Sequence, residues 1–392
     1  MVEYTSAAPP VAPRAQAPIA GWQLGLSLLL LLVITIGGSL LGGEAGGFAQ
    51  AGLTVVPFAG LALLAYLGQE RIWALVLALL ALAGIVLLYA AYGIVLSFMA
   101  LEGSAALEPR QLNLSGAHLG QLALITSGLL LLAPLAGGLT ALPAVRAWVS
   151  RRLPIDPHSF VHALALATVV TLLLIGFIPL LVLGAPPILS VLTGPGGDKL
   201  LGDTDAGSQL RQQFYQLVWT IPCAVLAVGY GVRRNLGDAL ARLGLVRPTM
   251  RQVALALGLA VAAVIGALLL DQAINTVWGA LGWPVTNQDA FAQLMSFAIS
   301  PLGAVVVGVS AGLGEELAVR GVLQPRLGIL LSNLLFTSLH AFQYNWDGLL
   351  SVFLLGLVMG LVRRRTNTTT SAIVHGSYDA ILVMLSVYSI GT

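Results

Sequence analysis

Charge is what this sequence has least of. Only 9% of its 392 residues are Asp, Glu, Lys or Arg, and 58% are hydrophobic; a soluble domain carries roughly 25% charged residues. That leaves too little polar surface to cover a water-facing globule. Lysine is nearly absent, with Lys199 the only one. Such usage points to a GC-rich genome and carries no mechanism. The basic residues fall in short clusters between apolar runs, and the net charge is only +2. No basic face for nucleic acid results. Cysteine is reduced to Cys223, inside an apolar run. It can form no intrachain disulfide and reads as a small buried hydrophobe. There is no HExxH, no GxSxG, no nucleophilic Cys with a helper and no Walker-type phosphate loop. Acyl-enzyme and nucleotide chemistry therefore find no support.

Long apolar runs are what the sequence has instead. A spanning helix needs about 20 such residues, and about eleven runs qualify. They lie near 21–43, 50–68, 72–99, 118–142, 160–184, 214–232, 252–271, 298–326, 328–345, 348–362 and 369–388. The expected fold is all-α, a polytopic transmembrane helix bundle. The first run is long for a signal peptide and lacks a convincing cleavage site, so it reads as a retained anchor. Residues 1–20, rich in Pro and Ala, read as a disordered tail. The stretch 235–250 reads as a short interfacial helix. Gly308 with Gly312, and Gly356 with Gly360, are small-residue pairs that allow close helix packing.

Arginine sets the expected topology. Arg146, Arg151 and Arg152 follow the fourth run; Arg233, Arg234, Arg242, Arg247 and Arg251 flank the sixth and seventh; Arg363, Arg364 and Arg365 close the tenth. Eleven alternating spans from a cytoplasmic N-terminus put all these clusters on one side and the C-terminus outside.

Ionisable groups inside a span are costly and usually mark function. Here they concentrate in the last third of the chain. Glu315 and Glu316 are adjacent, and Arg320 follows Glu316 by four, so those two share a helix face. Glu315 points about 100° away and has no cation at that spacing. An unpaired carboxylate there is suited to shuttling protons. His340 follows Phe336 by one turn, and His375 and Asp379 are likewise four apart. Measured from Arg326, Leu327 and Asn367, the residues Glu315, His340 and His375 lie about 12–18 Å into the membrane at 1.5 Å per residue. A water-filled cavity open to the cytoplasm accounts for so many polar groups at one depth.

A carboxylate and an imidazole can activate water for attack on a carbonyl, and a second imidazole with a donor can hold the oxyanion. The set Glu315, His340, His375 and Asp379 is equally open to Zn²⁺. Either way the chemistry is amide hydrolysis.

Three motifs now stand in order: Glu315-Glu316-Leu317-Ala318-Val319-Arg320 fits EExxxR, Phe336 to His340 fits FxxxH, and His375 to Asp379 fits HxxxN/D. Together they resemble the CAAX protease and bacteriocin-processing family of intramembrane endopeptidases, a type II CAAX endopeptidase-like group. The resemblance covers about 75 residues and implies a protease core over 250–392, with 21–249 as accessory helices. It implies that Glu315 activates water with help from His340. Glu316 and Arg320 would form a structural pair, His375 and Asp379 would line the oxyanion site, and Phe336 would support them. Where the family usually has Asn, this chain has Asp379. An ionised Asp cannot donate to an oxyanion, so Asp379 is protonated, orients His375 or binds a metal. The departure favours the metalloprotease reading. The implied setting is a bacterial plasma membrane, and the implied substrate is a peptide or membrane-protein segment cut near the cytoplasmic face. Two other classes stay open: a proton- or ion-coupled transporter using the same groups as a relay, which Asp271 would extend, and a catalytically silent scaffold.

Overall fold

Apolar runs become helices and nothing else. Among the described residues of the computed structural model (33, 36–103, 115–194, 197 and 205–388) there is no β-strand. A helix satisfies its own backbone, which a bilayer requires. The tail at 1–20 and most of the run at 21–43 lie outside the described residues.

The chain opens with α1 (Gly43–Leu53) and α2 (Val56–Gly68), bent by 43° at their break, and continues through α3 (Ile72–Glu102) and α4 (Gly116–Thr140). Then come the short α5 (Pro143–Val149), α6 (Phe160–Leu183), the short α7 (Pro187–Thr193), α8 (Ala206–Ala227) and α9 (Leu236–Leu243). The last third holds α10 (Met250–Leu281), α11 (Gln288–Met295), α12 (Pro301–Glu316), α13 (Gln324–Leu339), α14 (Trp346–Arg365) and α15 (Thr368–Val387).

Seven of the described helices are long and apolar enough to cross a membrane, or eight if the bent pair counts as one. The expectation of about eleven differs from this for identifiable reasons. The run at 214–232 falls in α8, whose first half is polar (Ser208, Gln209, Arg211, Gln212, Gln213), and α8 does not qualify. The runs at 298–326 and 328–345 fall in one 42-residue helical stretch, Pro301–Phe342. Within it Gly328 takes φ 74° and ψ 174°, a kink that a side chain would strain, at the expected boundary between the two runs.

The stretch 235–250 also differs from a free interfacial helix. Asn235 caps α9, Gly244 ends it in a left-handed turn, and Ala239 and Leu243 are buried against Leu317. The helix is docked on the bundle. A capping box between Thr249 and Gln252 then starts α10.

Both glycine pairs mark close approaches. A Cβ on Gly312 would come within 2.5 Å of Gly376 on α15, and one on Gly308 within 2.5 Å of the Gly376 carbonyl. On α14, a Cβ at Gly356 would run into Asn333 Oδ1, and one at Gly360 would press on Ile329. Gly312→Val is therefore expected to cost about 1–3 kcal/mol through overpacking, measured as a lower melting temperature in detergent. Gly258→Ala on α10, where a Cβ meets nothing within 4 Å, should leave the melting temperature nearly unchanged.

Several arginines from distant parts of the chain gather at one end of the bundle. Arg233 reaches Gln69 and Glu70, and Gln69 in turn reaches Ser159. Arg326 reaches Tyr66, Arg242 donates to the Gly321 carbonyl, and Arg363 donates to the Arg320 carbonyl. Clusters far apart in sequence thus share one face.

Candidate active site

Glu315 and Glu316 are the last two residues of α12, and a π-helical segment, Leu317–Leu323, follows at once. Such segments recur at functional sites because the extra residue per turn re-aims side chains. Sequence spacing alone assumes a regular helix here. The Glu316–Arg320 pair survives the change of pitch, with Arg320 Nε 3.5 Å from Glu316 Oε2 and both side chains 1% exposed. That separation is an ion pair and not a hydrogen bond.

Glu316 is held from three sides. Ser371 Oγ donates to its Oε2 at 2.5 Å, His375 Nδ1 lies 3.1 Å from its Oε1, and Arg320 supplies the counter-charge. Arg320 is anchored further by Nη2 donating to the Gly356 carbonyl at 2.9 Å and, more weakly, to Asn333 Oδ1 at 3.4 Å. Its guanidinium carbon stands 5.3 Å from the Phe336 ring centre, a cation–π distance. This carboxylate is thus buried with a partner on each side.

Glu315 differs from its neighbour. Its side chain is 38% exposed, and its one ion-pair contact is His375 Nε2 at 3.9 Å. It is the carboxylate of the pair that remains free to meet water or substrate.

His375 stands among carboxylates. Nδ1 faces Glu316, while Nε2 faces Asp379 Oδ2 at 3.4 Å and Glu315 at 3.9 Å. Only a doubly protonated ring can donate on both sides. Asp379 stands one turn along α15, with its carboxylate on the Nε2 side of this ring.

His340 closes α13, where the helix tightens into a 3₁₀ turn. Its Nδ1 lies 2.9 Å from the Phe336 carbonyl. A carbonyl only accepts, so Nδ1 carries a proton, and in the neutral ring Nε2 is then the basic nitrogen. Phe336 ties the constellation together. Its ring sits edge-on to His340 at 4.6 Å and to His375 at 6.3 Å, besides receiving Arg320. The FxxxH spacing thus has a packing reason, since the Phe fixes the positions of both imidazoles. All seven residues singled out in the sequence fall in this one neighbourhood.

Sequence reading missed Ser371, Asn333 and the π-helical segment. Ser371 precedes His375 by four on the same face, a signal of the same kind as the one used for Asp379. Asn333 is buried without exposure in an apolar helix, where its amide donates to the Phe353 carbonyl at 2.8 Å. No pattern in the sequence announces the π-helical pitch.

Among the described residues no group of three or more His, Cys, Asp or Glu side chains is disposed to hold a metal ion. His375 has Glu316 at Nδ1, the kind of partner that orients a ligating imidazole, and Asp379 and Glu315 on its Nε2 side.

No curated protein and no solved structure matches the chain. Residues 297–381 do match a family profile, that of the Type II CAAX prenyl endopeptidase Rce1-like family. The stretch runs from the entry of α12 into α15 and takes in Glu315, Glu316, Arg320, Phe336, His340, His375 and Asp379. Over these residues, within a polytopic helical bundle, the chain is similar to the type II CAAX prenyl endopeptidase Rce1-like family.

Proposed function

We propose that the chain is an intramembrane endopeptidase whose general base is Glu315. The observation that carries this reading is the contrast between two adjacent carboxylates: Glu316 is sealed and locked, whereas Glu315 is open and nearly unpaired. Glu315 takes a proton from water, helped by the basic Nε2 of His340, and the hydroxide adds to the peptide carbonyl carbon. Negative charge moves onto the carbonyl oxygen and meets the donor at His375 Nε2. Asp379 and Glu316 orient that ring, and Asp379 thereby takes the orienting role among those its carboxylate allows. Collapse breaks the C–N bond, and Glu315 returns its proton to the departing amine.

The substrate in this reading is a peptide or membrane-protein segment. The clustered arginines favour placing that end of the bundle in the cytoplasm. The active site then lies about two to three helical turns in from the cytoplasmic surface, and α15 runs away from it toward an outer C-terminus. A bacterial plasma membrane suits this orientation.

The test compares peptide termini in membranes of cells lacking the gene and expressing either wild type or Glu315→Ala at equal levels. Termini found only with wild type are expected, and they name the substrate. Identical termini, with both chains inserted, would overturn the proposal and turn attention to ion flux. A second expectation concerns metal. Because the donor set is arranged for ion pairing, o-phenanthroline should leave the purified enzyme's rate unchanged. Loss of activity restored by added Zn²⁺ would assign a metal to Glu315, His340, His375 and Asp379 instead.

A further inference from the structure

Away from the active site, a cavity of about 660 Å³ lies between α3, α4 and α6. Its walls are apolar, among them Leu79 and Leu87 of α3, Leu130 and Pro134 of α4, and Leu164 of α6. The lining of α6 runs from Phe160 to Thr171, a depth of about 16 Å at 1.5 Å per residue.

Local structure explains the opening. Residues Gly128–Leu132 of α4 are π-helical, and Pro134 follows; both features distort a helix. Just beyond, a Cβ on Gly137 would collide with Thr171 Oγ1 and the Ala167 carbonyl, so α4 and α6 touch there. The adjacent Gly138 lines the cavity, and a Cβ on it would meet nothing within 4 Å.

One end of the cavity is basic. Arg146 and His158 both line it. Arg146 Nη1 donates to the Pro157 carbonyl, while its Nε is shut off from solvent without a hydrogen-bond partner. Arg151 and Arg152 are exposed beside it, and Arg152 stands 5.0 Å from the ring centre of Trp148, itself 57% exposed. Asp156 is the one acid in the 150–159 loop, and its carboxylate already accepts from the His158 backbone N–H. An exposed Trp among arginines marks a membrane–water interface. The same end carries the other arginine clusters, through Ser159 and Gln69 to Arg233. Basic pockets between helices on such a face suit anionic lipid headgroups.

We propose that this cavity binds an anionic phospholipid, with an acyl chain between α3, α4 and α6 and its phosphate on Arg146 and His158. A zwitterionic lipid could fill the apolar part equally well. The basic mouth, with a guanidinium suited to phosphate, selects negative charge. The inference does not depend on the proteolytic reading.

The test uses the full chain in nanodiscs of equal phosphatidylglycerol and phosphatidylcholine, released for native mass spectrometry. Wild type is expected to retain phosphatidylglycerol in clear excess. Arg146→Gln should reduce that excess about tenfold by removing a charge-assisted contact. Gly138→Leu should abolish retention by filling the cavity. If Gly138→Leu fails to fold, Ala83→Leu on the opposite wall replaces it, since Ala83 also lines the cavity. Equal retention of the two lipids by wild type would overturn the proposal. So would an unchanged phosphatidylglycerol excess in the mouth variant or in the folded cavity variant.

Discussion

A Glu315→Gln chain is expected to insert, fold and melt like wild type, yet hydrolyse its substrate about 10²–10⁴-fold more slowly, the usual share of a general base. At about 1.4 kcal/mol per decade this is a loss of roughly 3–5 kcal/mol of transition-state stabilisation. The separation of stability from activity follows from the surroundings of this residue. Its side chain is 38% exposed and its nearest charged partner is 3.9 Å away, so the amide replaces it without leaving a buried charge unpaired. Gln keeps the shape and hydrogen-bonding capacity but cannot take a proton from water. The measurement is single-turnover cleavage of a peptide named by the terminus comparison, beside a melting curve in the same detergent. A wild-type rate would remove Glu315 from the mechanism. A collapsed melting temperature would instead assign it a structural role.

The same pair of residues shows how much of this site is legible in sequence and where legibility ends. EExxxR, read on a regular helix, places Glu316 with Arg320 and leaves Glu315 apart, and the structure has that division. The reading works because i, i+4 neighbours meet across a wide range of helical pitch, including the π-helical segment that begins at Leu317. What fixes Arg320 from its other side is not local. Gly356 and Asn333 come from α14 and α13, and their approach depends on a glycine at 356 that leaves room for the Asn333 amide. Sequence shows that Gly356 is small but not what fills the space. The fold divides in the same way. Apolar length marks the helices, and Gly328 sits at the expected break between two of them. The number of spans is less legible, because α8 is half polar and its partners decide what its apolar half packs on. Span counting weighs hydropathy along the chain, whereas α8 is placed by tertiary contacts such as Trp219 Nε1 donating to the Phe48 carbonyl.

Glu316→Ala should be the most destabilising single change in the site, at about 3–5 kcal/mol, the cost of leaving a buried charge without its partner. Arg320 is 1% exposed and cannot shed its charge, and its Nε and Nη1 already lack hydrogen-bond partners. Removing the carboxylate leaves that cation facing only the Gly356 carbonyl, Asn333 and the Phe336 ring. The double variant Glu316→Leu with Arg320→Met is the informative control. Replacing both members by apolar groups of similar volume relieves most of the electrostatic penalty, so it should be more stable than Glu316→Ala and give a large coupling in a double-mutant cycle. Recovery should stay incomplete, because Ser371 Oγ and His375 Nδ1 both lose Glu316 as their acceptor. Activity should not recover at all. With Glu316 gone, only Asp379 and Glu315 face His375, both at Nε2, and nothing holds the ring from the Nδ1 side. A double variant that melts near wild type while remaining inactive would show that this buried pair serves to aim His375 and contributes little net stability. A double variant as unstable as Glu316→Ala would place the cost in packing around α12 and α15 and remove the electrostatic account of the pair.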